Sequence, residues 1–409
     1  MTHPPQTRML SLAEFIPLMG LMTALDALSI DSLLPAFPAI SRDLSVAAGN
    51  SIQLLVSAMF LGMAFGQIIG GPASDAYGRR PAIIGGLIVY ALGSALGFMA
   101  QSFEVLLIAR VMQGFGASIP VVVMTALVRD LYEGAPMARI MSFIGTVFII
   151  VPILAPLAGQ GILLVSTWRT TFVLYLVLAA LSALWFTLRQ PETLPKEKRM
   201  VLSLSSLFGA AMTVLKNRIA IGYIVAGGLL FGAFLGYLNS AQQIFQQTYD
   251  MGIYFVLLFS TLALSIGAAL LTNGWLVERF GMQKMTLTGF AGVAGASIIF
   301  LPVAFAFNGV PPLWLTMCYL ALSFFSVGIL FGNLQALAME PLGEVAGVGA
   351  AIVSFAQTIF GLPLGTYIGQ SYDGTVIPLV SGFALLCSLA LAAMWLAERG
   401  RSFNVQREG

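Results

Sequence analysis

Charged residues are scarce in this chain. Only 9% of its 409 residues are Asp, Glu, Lys or Arg, whereas 58% are hydrophobic. The mean hydropathy of +0.93 is too high for the core of a soluble protein to account for. A formal net charge of +2 argues against nucleic acid as a partner. The composition indicates a protein whose solvent is the lipid bilayer.

Histidine and cysteine are nearly absent. The single histidine, His3, lies in the polar N-terminal stretch, so proton chemistry inside the membrane has to use carboxylates. Cys318 and Cys387 lie in apolar runs, and we expect both to be reduced and packed in the core. We therefore expect no metal site and no cofactor. No phosphate-binding Gly-x-x-x-x-Gly-Lys-Ser/Thr loop is present, which favours a proton gradient as the energy source.

Apolar runs of about 20 residues, the length needed to cross a bilayer, follow one another along the chain. No cleavage-site pattern follows the first run, so we expect a retained span rather than a signal peptide. The longest polar stretch separates the first six runs from the last six. The sequence predicts an N-terminal bundle at 1–190, a linker at 191–217 and a C-terminal bundle at 218–409. The predicted spans are 12–38, 51–73, 81–100, 104–128, 138–163, 169–189, 219–247, 252–277, 285–306, 312–337, 346–370 and 375–397.

Basic residues lie mostly in the loops on one side of the predicted membrane. With the N terminus in the cytoplasm, all 19 lysines and arginines fall in cytoplasmic segments except Arg42, Arg110 and Arg169. Cytoplasmic loops of membrane proteins carry an excess of basic residues. We therefore expect both termini in the cytoplasm of a bacterial inner membrane.

A motif that follows the second span recurs after the eighth. An acid at a helix end can pair with a basic residue and hold a closed conformation, glycine allows a tight turn, and arginines stay out of lipid. We predict that the two loops act as gates in two halves of like design, and the alternative is a pair of solvated hairpins. The matching residues, at one common offset, are Gly71 and Gly274, Asp75 and Glu278, and Gly78 and Gly281, with Arg79, Arg80 and Arg279 beside them.

Two acids and one arginine lie deep in the predicted spans. Asp26 and Asp31 belong to the first span and are about 140° apart around an ideal helix, so one faces the centre and the other an adjacent helix. Arg110, in the fourth span, lies at a depth that allows contact with Asp31. A buried carboxylate favours its neutral form and a nearby cation favours the charged form, so either aspartate is a candidate proton switch tuned by Arg110. The alternatives are structural hydrogen bonding for the aspartates and snorkelling of the arginine.

The stretch LLIARVMQGFGAS, which contains Arg110 and Gln113, resembles the fourth-span motif of the major facilitator superfamily. The loop with Asp75 is similar to that family's signature between spans two and three. DSLLPAFP, VRDLY, WRTTF and PET resemble its bicyclomycin and chloramphenicol resistance (Bcr/CflA) branch of drug:proton antiporters. The resemblance implies an all-α membrane protein with twelve transmembrane helices in two six-helix bundles.

The fifth span resembles the antiporter motif of the same family through Pro152, Pro156 and Gly159. Proline frees backbone carbonyls and glycine allows close helix contact, so this span is expected to bend during transport, with ordinary helix packing as the alternative. The seventh span is unusually rich in amides, which either bind cargo without charge or are solvated. The candidate cargo-binding residues are Gln113, Tyr237, Asn239, Gln242, Gln243, Asn333 and Gln357.

These features favour a monomeric, proton-coupled exporter of small, largely apolar drugs or toxic compounds. Its cavity is expected to be lined by phenylalanine, methionine and tryptophan, with a few polar residues. An exporter of a specific metabolite, such as an amino acid or a sugar, and a proton symporter are the alternatives within transport. A membrane receptor that transports nothing belongs to another class, but the loops are short. Motifs of membrane enzymes are absent, so we expect no enzymatic activity.

Overall fold

The computed structural model describes residues 10–46, 49–200 and 204–405. This part of the chain is helical and contains no β-strand, which confirms the predicted all-α class. It contains twelve helices long and apolar enough to cross a membrane, and the predicted spans differ from them by a few residues at most ends. These helices are α1 Leu12–Asp43, α2 Ser51–Tyr77, α3 Arg79–Met99, α4 Phe103–Leu131, α5 Arg139–Val165, α6 Arg169–Arg189, α7 Arg218–Thr248, α8 Gly252–Phe280, α9 Met282–Ala306, α10 Leu313–Gly343, α11 Val348–Gln370 and α12 Ile377–Arg399.

Helix α1 is interrupted and extends further than the sequence predicted. A regular α-helix runs over Leu12–Asp31, a 3₁₀ turn follows at Leu34–Ala36, and a short helix covers Phe37–Asp43. Pro35 has no N–H to donate to the carbonyl of Asp31, so the regular hydrogen bonding stops there. The prediction ended the span at residue 38, but a proline in the first turn of a helix is well tolerated and the chain continues beyond it.

The repeated motif forms the same turn in both places. Gly78 separates α2 from α3 with a φ of +110°, and Gly281 separates α8 from α9 with a φ of +81°. Side chains rarely allow such backbone angles, so glycine is required at both turns. The tight turns that the motif predicted are therefore present.

The helices pack as two groups. Within the first group, α4 packs on α2 and α3, while α1 lies against α4, α5 and α6. In the second group α7 lies against α10, α11 and α12. The groups meet along two helix pairs, α2 with α11 and α5 with α8. Cavities enclosed between these pairs belong to both groups.

The stretch between the groups is not entirely a loop. After a 3₁₀ turn at Lys196–Lys198, residues Leu204–Lys216 form an additional helix. Ala210 and Val214 are buried on one side of it, whereas Phe208 and Leu215 are exposed. The polar flanks concealed this short apolar helix in the sequence.

The cysteine prediction holds for one of two residues. Cys387 is buried, but Cys318 is exposed on the outside of the bundle. Membrane helices carry apolar residues on the lipid-facing side as well as in the core, so an apolar run does not predict burial. His3, Arg8 and Arg407 lie outside the described residues.

Candidate functional site

A small cavity of about 160 Å³ lies between the two helix groups beside the interruption of α1. Asp31 is the charged residue of its lining, and the rest is almost wholly apolar. Phenylalanines supply much of the wall, as expected, but no methionine or tryptophan of the described residues contributes to it. Other lining residues include Ala27, Ile30, Phe60, Pro152, Phe234, Tyr237, Phe259 and Phe324.

Aromatic rings form the wall opposite Asp31. Tyr237 stacks on Phe259 with ring centroids 5.8 Å apart, and its ring lies 4.5 Å from that of Phe324 in an edge contact. The Tyr237 hydroxyl is buried and has no hydrogen-bond partner among the described residues. This wall offers π faces and one free hydroxyl to a molecule in the cavity.

The two aspartates occupy different surroundings. Asp31 lines the cavity and has no hydrogen-bond partner in the described part of the chain. Asp26 is buried away from the cavity lining, and its Oδ1 atom has no partner either. Arg110 interacts electrostatically with Asp26, and Asp26 with Asp31. Of the two acids, Asp31 is the one placed to meet a ligand.

Two tyrosines hold α1 at the position of Asp31. The Ser29 hydroxyl lies 2.5 Å from the Tyr90 hydroxyl on α3, and the Ser32 hydroxyl lies 2.6 Å from the Tyr175 hydroxyl on α6. Both serines also donate to carbonyls one turn earlier in α1. The end of the first helical segment is thus fixed on two sides. These pairs join residues far apart in the chain, so no local sequence pattern predicts them.

Arg110 is fully buried and does not snorkel. Its Nη1 donates to Gln113 Oε1 at 2.9 Å and its Nε to the Leu55 carbonyl at 3.3 Å. Gln113 in turn donates to Ser94 Oγ at 2.9 Å. Arg110 makes no hydrogen bond or ion pair with Asp31 among the described residues. Gln113 therefore supports the arginine and does not line the cavity.

Helix α5 approaches α1 closely at Gly159. A Cβ atom at that position would lie 1.9 Å from the carbonyl oxygen of Ser32, directly after Asp31. Pro152 lines the cavity one to two turns away. Pro156 has no N–H to donate to the carbonyl of Pro152, one turn earlier in α5. The adjacent Ile153 carbonyl accepts a 2.7 Å hydrogen bond from the Ser260 hydroxyl of α8. The proline- and glycine-rich stretch thus joins α1, α5 and α8 beside the cavity.

One end of the molecule, named here the Asn50 end, is closed by neutral hydrogen bonds between the two groups. Asn50 Nδ2 donates to the carbonyls of Gln370 and Tyr372, both at 2.8 Å. Gln370 Nε2 donates back to the Asn50 carbonyl at 2.9 Å, and Gln243 Nε2 donates to Asn50 Oδ1 at 2.6 Å. Asn50 is therefore the centre of this closure.

Three of the six amides predicted to bind cargo belong to the same closure. Asn239 donates to Ser57 Oγ at 3.0 Å, and Gln242 Oε1 accepts from Gln53 at 3.3 Å. Asn239, Gln242 and Gln243 are buried, so they are not solvated, and none of them is among the residues that line the described cavities. Their polar groups form hydrogen bonds between the two helix groups, and these contacts could not be predicted from the sequence.

The other two predicted cargo-binding amides, Asn333 and Gln357, lie in different surroundings. Asn333 and Asn273 form a reciprocal amide pair, with N to O distances of 3.0 and 3.2 Å between α10 and α8. Gln357 lines a second small cavity together with Gln67 of α2, a residue outside the predicted cargo-binding set. Asn333 stabilises helix packing, whereas Gln357 remains available to a ligand.

The opposite end of the molecule, named here the Asp75 end, has a charged cluster in the first helix group. The buried Arg79 guanidinium pairs with Asp75 and, at 2.9 Å, with Asp130 of α4. Glu192 accepts the backbone N–H groups of Arg79 and Arg80 at 3.0 and 3.1 Å, which places a carboxylate at the N terminus of α3. Neither Asp130 nor Glu192 belongs to the motif that predicted a gate.

The second copy of the motif lacks these contacts. Glu278 is exposed and appears in none of the ion pairs of the described residues, and Gly274 has open space around it. Arg279 lies over the rings of Trp275 and Phe280. A cavity of about 390 Å³ opens between the groups at the Asp75 end, lined by Asp75, Arg79, Arg129, Gln67 and residues of α11. The turns repeat, but the charge contacts do not.

A family model described as Major Facilitator Superfamily matches residues 19–359. The chain belongs to the Major Facilitator Superfamily. Three curated relatives match it over most of their length. They are the uncharacterized MFS-type transporter YdgK of Bacillus subtilis (29% identity, 88% of this chain and 90% of the relative), the bicyclomycin resistance protein homolog of Haemophilus influenzae (27%, 90% and 91%) and multidrug resistance protein D of Escherichia coli (29%, 91% and 94%).

A solved structure of the xylose transporter XylE from Escherichia coli, in a partially occluded inward-open conformation, has the same fold. Its TM-score is 0.70 at 14% identity, over 94% of this chain and 97% of the other. The predicted fold and the resemblance to drug-resistance members of this superfamily are confirmed. This superfamily member is a transporter of small molecules and not an enzyme, and a multi-pass protein of the inner membrane.

Proposed function

We propose that this transporter exports small, largely apolar drugs or toxic compounds in exchange for protons, by alternating access. The observation that carries the proposal is Asp31, a buried carboxylate in an aromatic cavity between the two helix groups that has no hydrogen-bond partner among the described residues. A carboxylate in such a place gains from binding either a proton or a cargo molecule that supplies hydrogen bonds or charge. Competition between the two for one acid couples their movements.

The orientation we propose puts the Asp75 end, with both termini, in the cytoplasm. Arg79, Arg80 and Arg129 lie at that end, and most of the other basic residues of the chain belong to loops on the same side. Cargo then enters from the cytoplasm through the cavity of about 390 Å³ at the Asp75 end and reaches Asp31 while the Asn50 end is closed. We propose bundles at 1–190 and 218–409, joined by the linker at 191–217, as the two bodies that rock around the site.

The residues near Asp31 take supporting roles in this proposal. Arg110 compensates the charge of Asp26 across the first bundle and so influences how readily Asp31 releases its proton. Tyr237 offers its free hydroxyl to the cargo. The proposed working unit is a monomer.

The direction of coupling tests the proposal. Purified protein in vesicles with an acidic interior should take up a cargo compound while protons leave, and the proton efflux should stop when the cargo is omitted. Uptake is followed with a radiolabelled compound and proton movement with a pH-sensitive dye inside the vesicles. Movement of protons and cargo in the same direction would contradict antiport and favour a symporter.

Replacing Asp75 by asparagine should slow the conformational cycle without changing cargo preference. The substitution removes one of the two carboxylates that pair with Arg79, and Asp130 remains. Losing one charge-assisted hydrogen bond at a switching contact corresponds to about a tenfold change in rate. Turnover measured for several exported compounds should therefore fall by a common factor. A variant whose rates change for some compounds and not for others would show that Asp75 selects cargo; Glu278→Gln, whose carboxylate is exposed, is the matched control.

A further inference from the structure

Both basic residues at the Asn50 end line one cavity, named here the Arg42 cavity. The charged residues of the helix ends and loops on this side are Arg42, Asp43, Glu104, Arg169, Asp250 and Asp373. The cavity has a volume of about 720 Å³ and lies where α1 and α5 end and where α6 and α8 begin. Asp43 is the one acid of its lining among the described residues. Two arginines on a side that is otherwise acidic, both lining one cavity, indicate a site for an anionic group.

The charge of Arg169 is compensated within the protein. Its Nη1 pairs with Asp43, and its Nη2 donates to the Ala100 carbonyl at 2.9 Å. The guanidinium also lies over the ring of Trp168, 4.2 Å from the ring centroid. Trp168 Nε1 donates to the same Asp43 carboxylate at 3.0 Å. These contacts fix Arg169 in place and occupy Asp43 at the same time.

The charge of Arg42 has no such compensation. Its Nε donates to the Pro38 carbonyl one turn earlier in α1, at 3.3 Å. Its two Nη groups make no hydrogen bond or ion pair with any of the described residues, and the side chain is exposed. Two arginines and one aspartate give the lining a net charge of +1. One monoanionic group would neutralise the cavity.

The surroundings of the cavity indicate that this group belongs to a lipid. Leu164 and Val165, the last two residues of α5, are 72% and 87% exposed, directly beside the lining residues Leu163 and Ser166. Ile253, which lines the cavity from the start of α8, is 58% exposed. Apolar side chains with this exposure at the end of a membrane span lie against acyl chains. The cavity is therefore at the level where the headgroups of the bilayer lie.

The neutral polar residues of the cavity fit a headgroup with hydroxyl groups. The side chains of Gln160 and Thr167 both line it, and neither forms a hydrogen bond with another of the described residues. An amide and a hydroxyl can each donate to and accept from a lipid hydroxyl. An ammonium headgroup would need a carboxylate, but Asp43 is already occupied by Arg169 and Trp168. These features favour a glycerol headgroup over an ethanolamine headgroup.

We propose that the Arg42 cavity binds the headgroup of one phosphatidylglycerol molecule. The Arg42 guanidinium donates to two oxygens of the phosphate, the geometry in which arginine binds phosphate best. Gln160 and Thr167 bond to the glycerol hydroxyls, and the acyl chains lie along Leu164 and Val165. In the orientation proposed above, this is a lipid of the outer leaflet. The binding itself requires neither cargo nor protons, so it goes beyond the proposed transport.

Native mass spectrometry of the purified full-length protein, released from detergent with added lipid, tests the site. Arg42→Gln removes the uncompensated charge and should weaken phosphatidylglycerol binding about tenfold, as expected for a lost charge-assisted contact. Arg139→Gln, the same change at an exposed position of the Asp75 end, should bind as the unchanged protein does. Phosphatidylethanolamine with the same acyl chains should bind more weakly than phosphatidylglycerol to the unchanged protein.

Asp43→Asn should have the opposite effect. Asparagine can still accept from Trp168 but no longer neutralises Arg169, so phosphatidylglycerol binding should become about two- to fivefold tighter, the size expected for one exposed charge. A general folding defect would not tighten binding.

Three results would overturn the lipid site. One is phosphatidylglycerol binding to Arg42→Gln as tight as to the unchanged protein, and another is equally tight binding of phosphatidylethanolamine. The third is displacement of the lipid by glycerol 3-phosphate, which would show that the cavity takes a soluble anion. Because the binding is measured without cargo or a proton gradient, none of these results bears on the proposed antiport, and failure of the antiport would leave the lipid site standing.

Discussion

The Asp31→Asn variant is expected to lose accumulation of cargo against a gradient while still allowing cargo to move downhill. Asparagine has the size of the protonated aspartate, so the cavity keeps its shape, but the side chain cannot release a proton. One proton crossing a potential of 100 mV supplies about 2.3 kcal/mol, which for exchange with one neutral molecule corresponds to a concentration ratio of roughly fifty. That ratio should fall to one in the variant.

Vesicles with an imposed potential give the measurement. Accumulation of a neutral exported compound is compared among the unchanged protein, Asp31→Asn and Asp250→Asn, where the last makes the same change at an exposed loop residue. Downhill exchange of the same compound shows that the variant is folded and open to cargo. Accumulation by Asp31→Asn equal to that of the unchanged protein would exclude Asp31 as the coupling acid.

The Asp31→Asn variant also tests whether cargo affinity depends on pH through this carboxylate. In the unchanged protein a proton and a cargo molecule compete for Asp31, so cargo affinity should decrease as the pH falls, by up to tenfold for each pH unit. Asp31→Asn binds no proton there, and its cargo affinity should be independent of pH over the same range.

Asp26→Asn, which leaves the buried Arg110 without its counter-charge, should instead lower the yield of folded protein.

The sequence predicted the parts of this fold that depend on local signals. Runs of apolar residues define a span whatever their neighbours are, which is why the twelve helices were predicted with nearly correct ends. Glycine at positions 78 and 281 predicted the two tight turns, because the required backbone angle belongs to the residue itself. Asp31 was a candidate because a carboxylate within an apolar run is costly anywhere.

Side-chain partners could not be predicted from the sequence, because they depend on which helices contact one another. The serines of α1 bond to tyrosines 61 and 143 positions away, and no spacing rule connects them. The amides of α7 are a clearer case. Their polarity was interpreted as cargo binding or solvation, yet Asn239 and Gln243 bond across to α2 and the loop before it. Polar residues in a span need a partner, but the sequence does not say whether it is a ligand or another helix.

The repeated motif is a second case in which side-chain contacts could not be predicted from the sequence. Asp75 and Glu278 occupy matching positions, and matching roles were the natural prediction. Asp75 meets Arg79 because Arg79 is held by Asp130 and Glu192. Glu278, by contrast, belongs to none of the ion pairs of the described residues. A repeated motif predicts a repeated backbone turn, while its contacts depend on neighbours that were not repeated.

Asn50 offers a direct test of how the structure holds one end closed. Its side chain makes three of the hydrogen bonds between the halves: two from Nδ2, to the carbonyls of Gln370 and Tyr372, and one to Oδ1, from Gln243. A hydrogen bond contributes about 0.5–1.5 kcal/mol net, so removing three favours the conformation open at the Asn50 end by roughly 2–3 kcal/mol. Asn50→Ala should therefore change the ratio of the two conformations by roughly 30- to 150-fold.

Spin labels at Arg42 and Asp250, which are exposed at the Asn50 end in opposite halves, report this change as a distance. Cys318, the exposed native cysteine, is replaced by serine beforehand. The unchanged protein should show mainly the short distance and Asn50→Ala mainly a longer one, whereas Gln101→Ala, at an exposed position of the same end, should resemble the unchanged protein.

Because the closing bonds are between neutral groups, the distances in the unchanged protein should also be insensitive to salt, in contrast to a closure held by ion pairs. If Asn50→Ala keeps the short distance, the contacts of α2 with α11 and of α5 with α8 hold this end closed without the amides. A shift to the long distance would establish that a single polar residue in the loop before α2 sets the preference of the transporter for the conformation open at the Asp75 end.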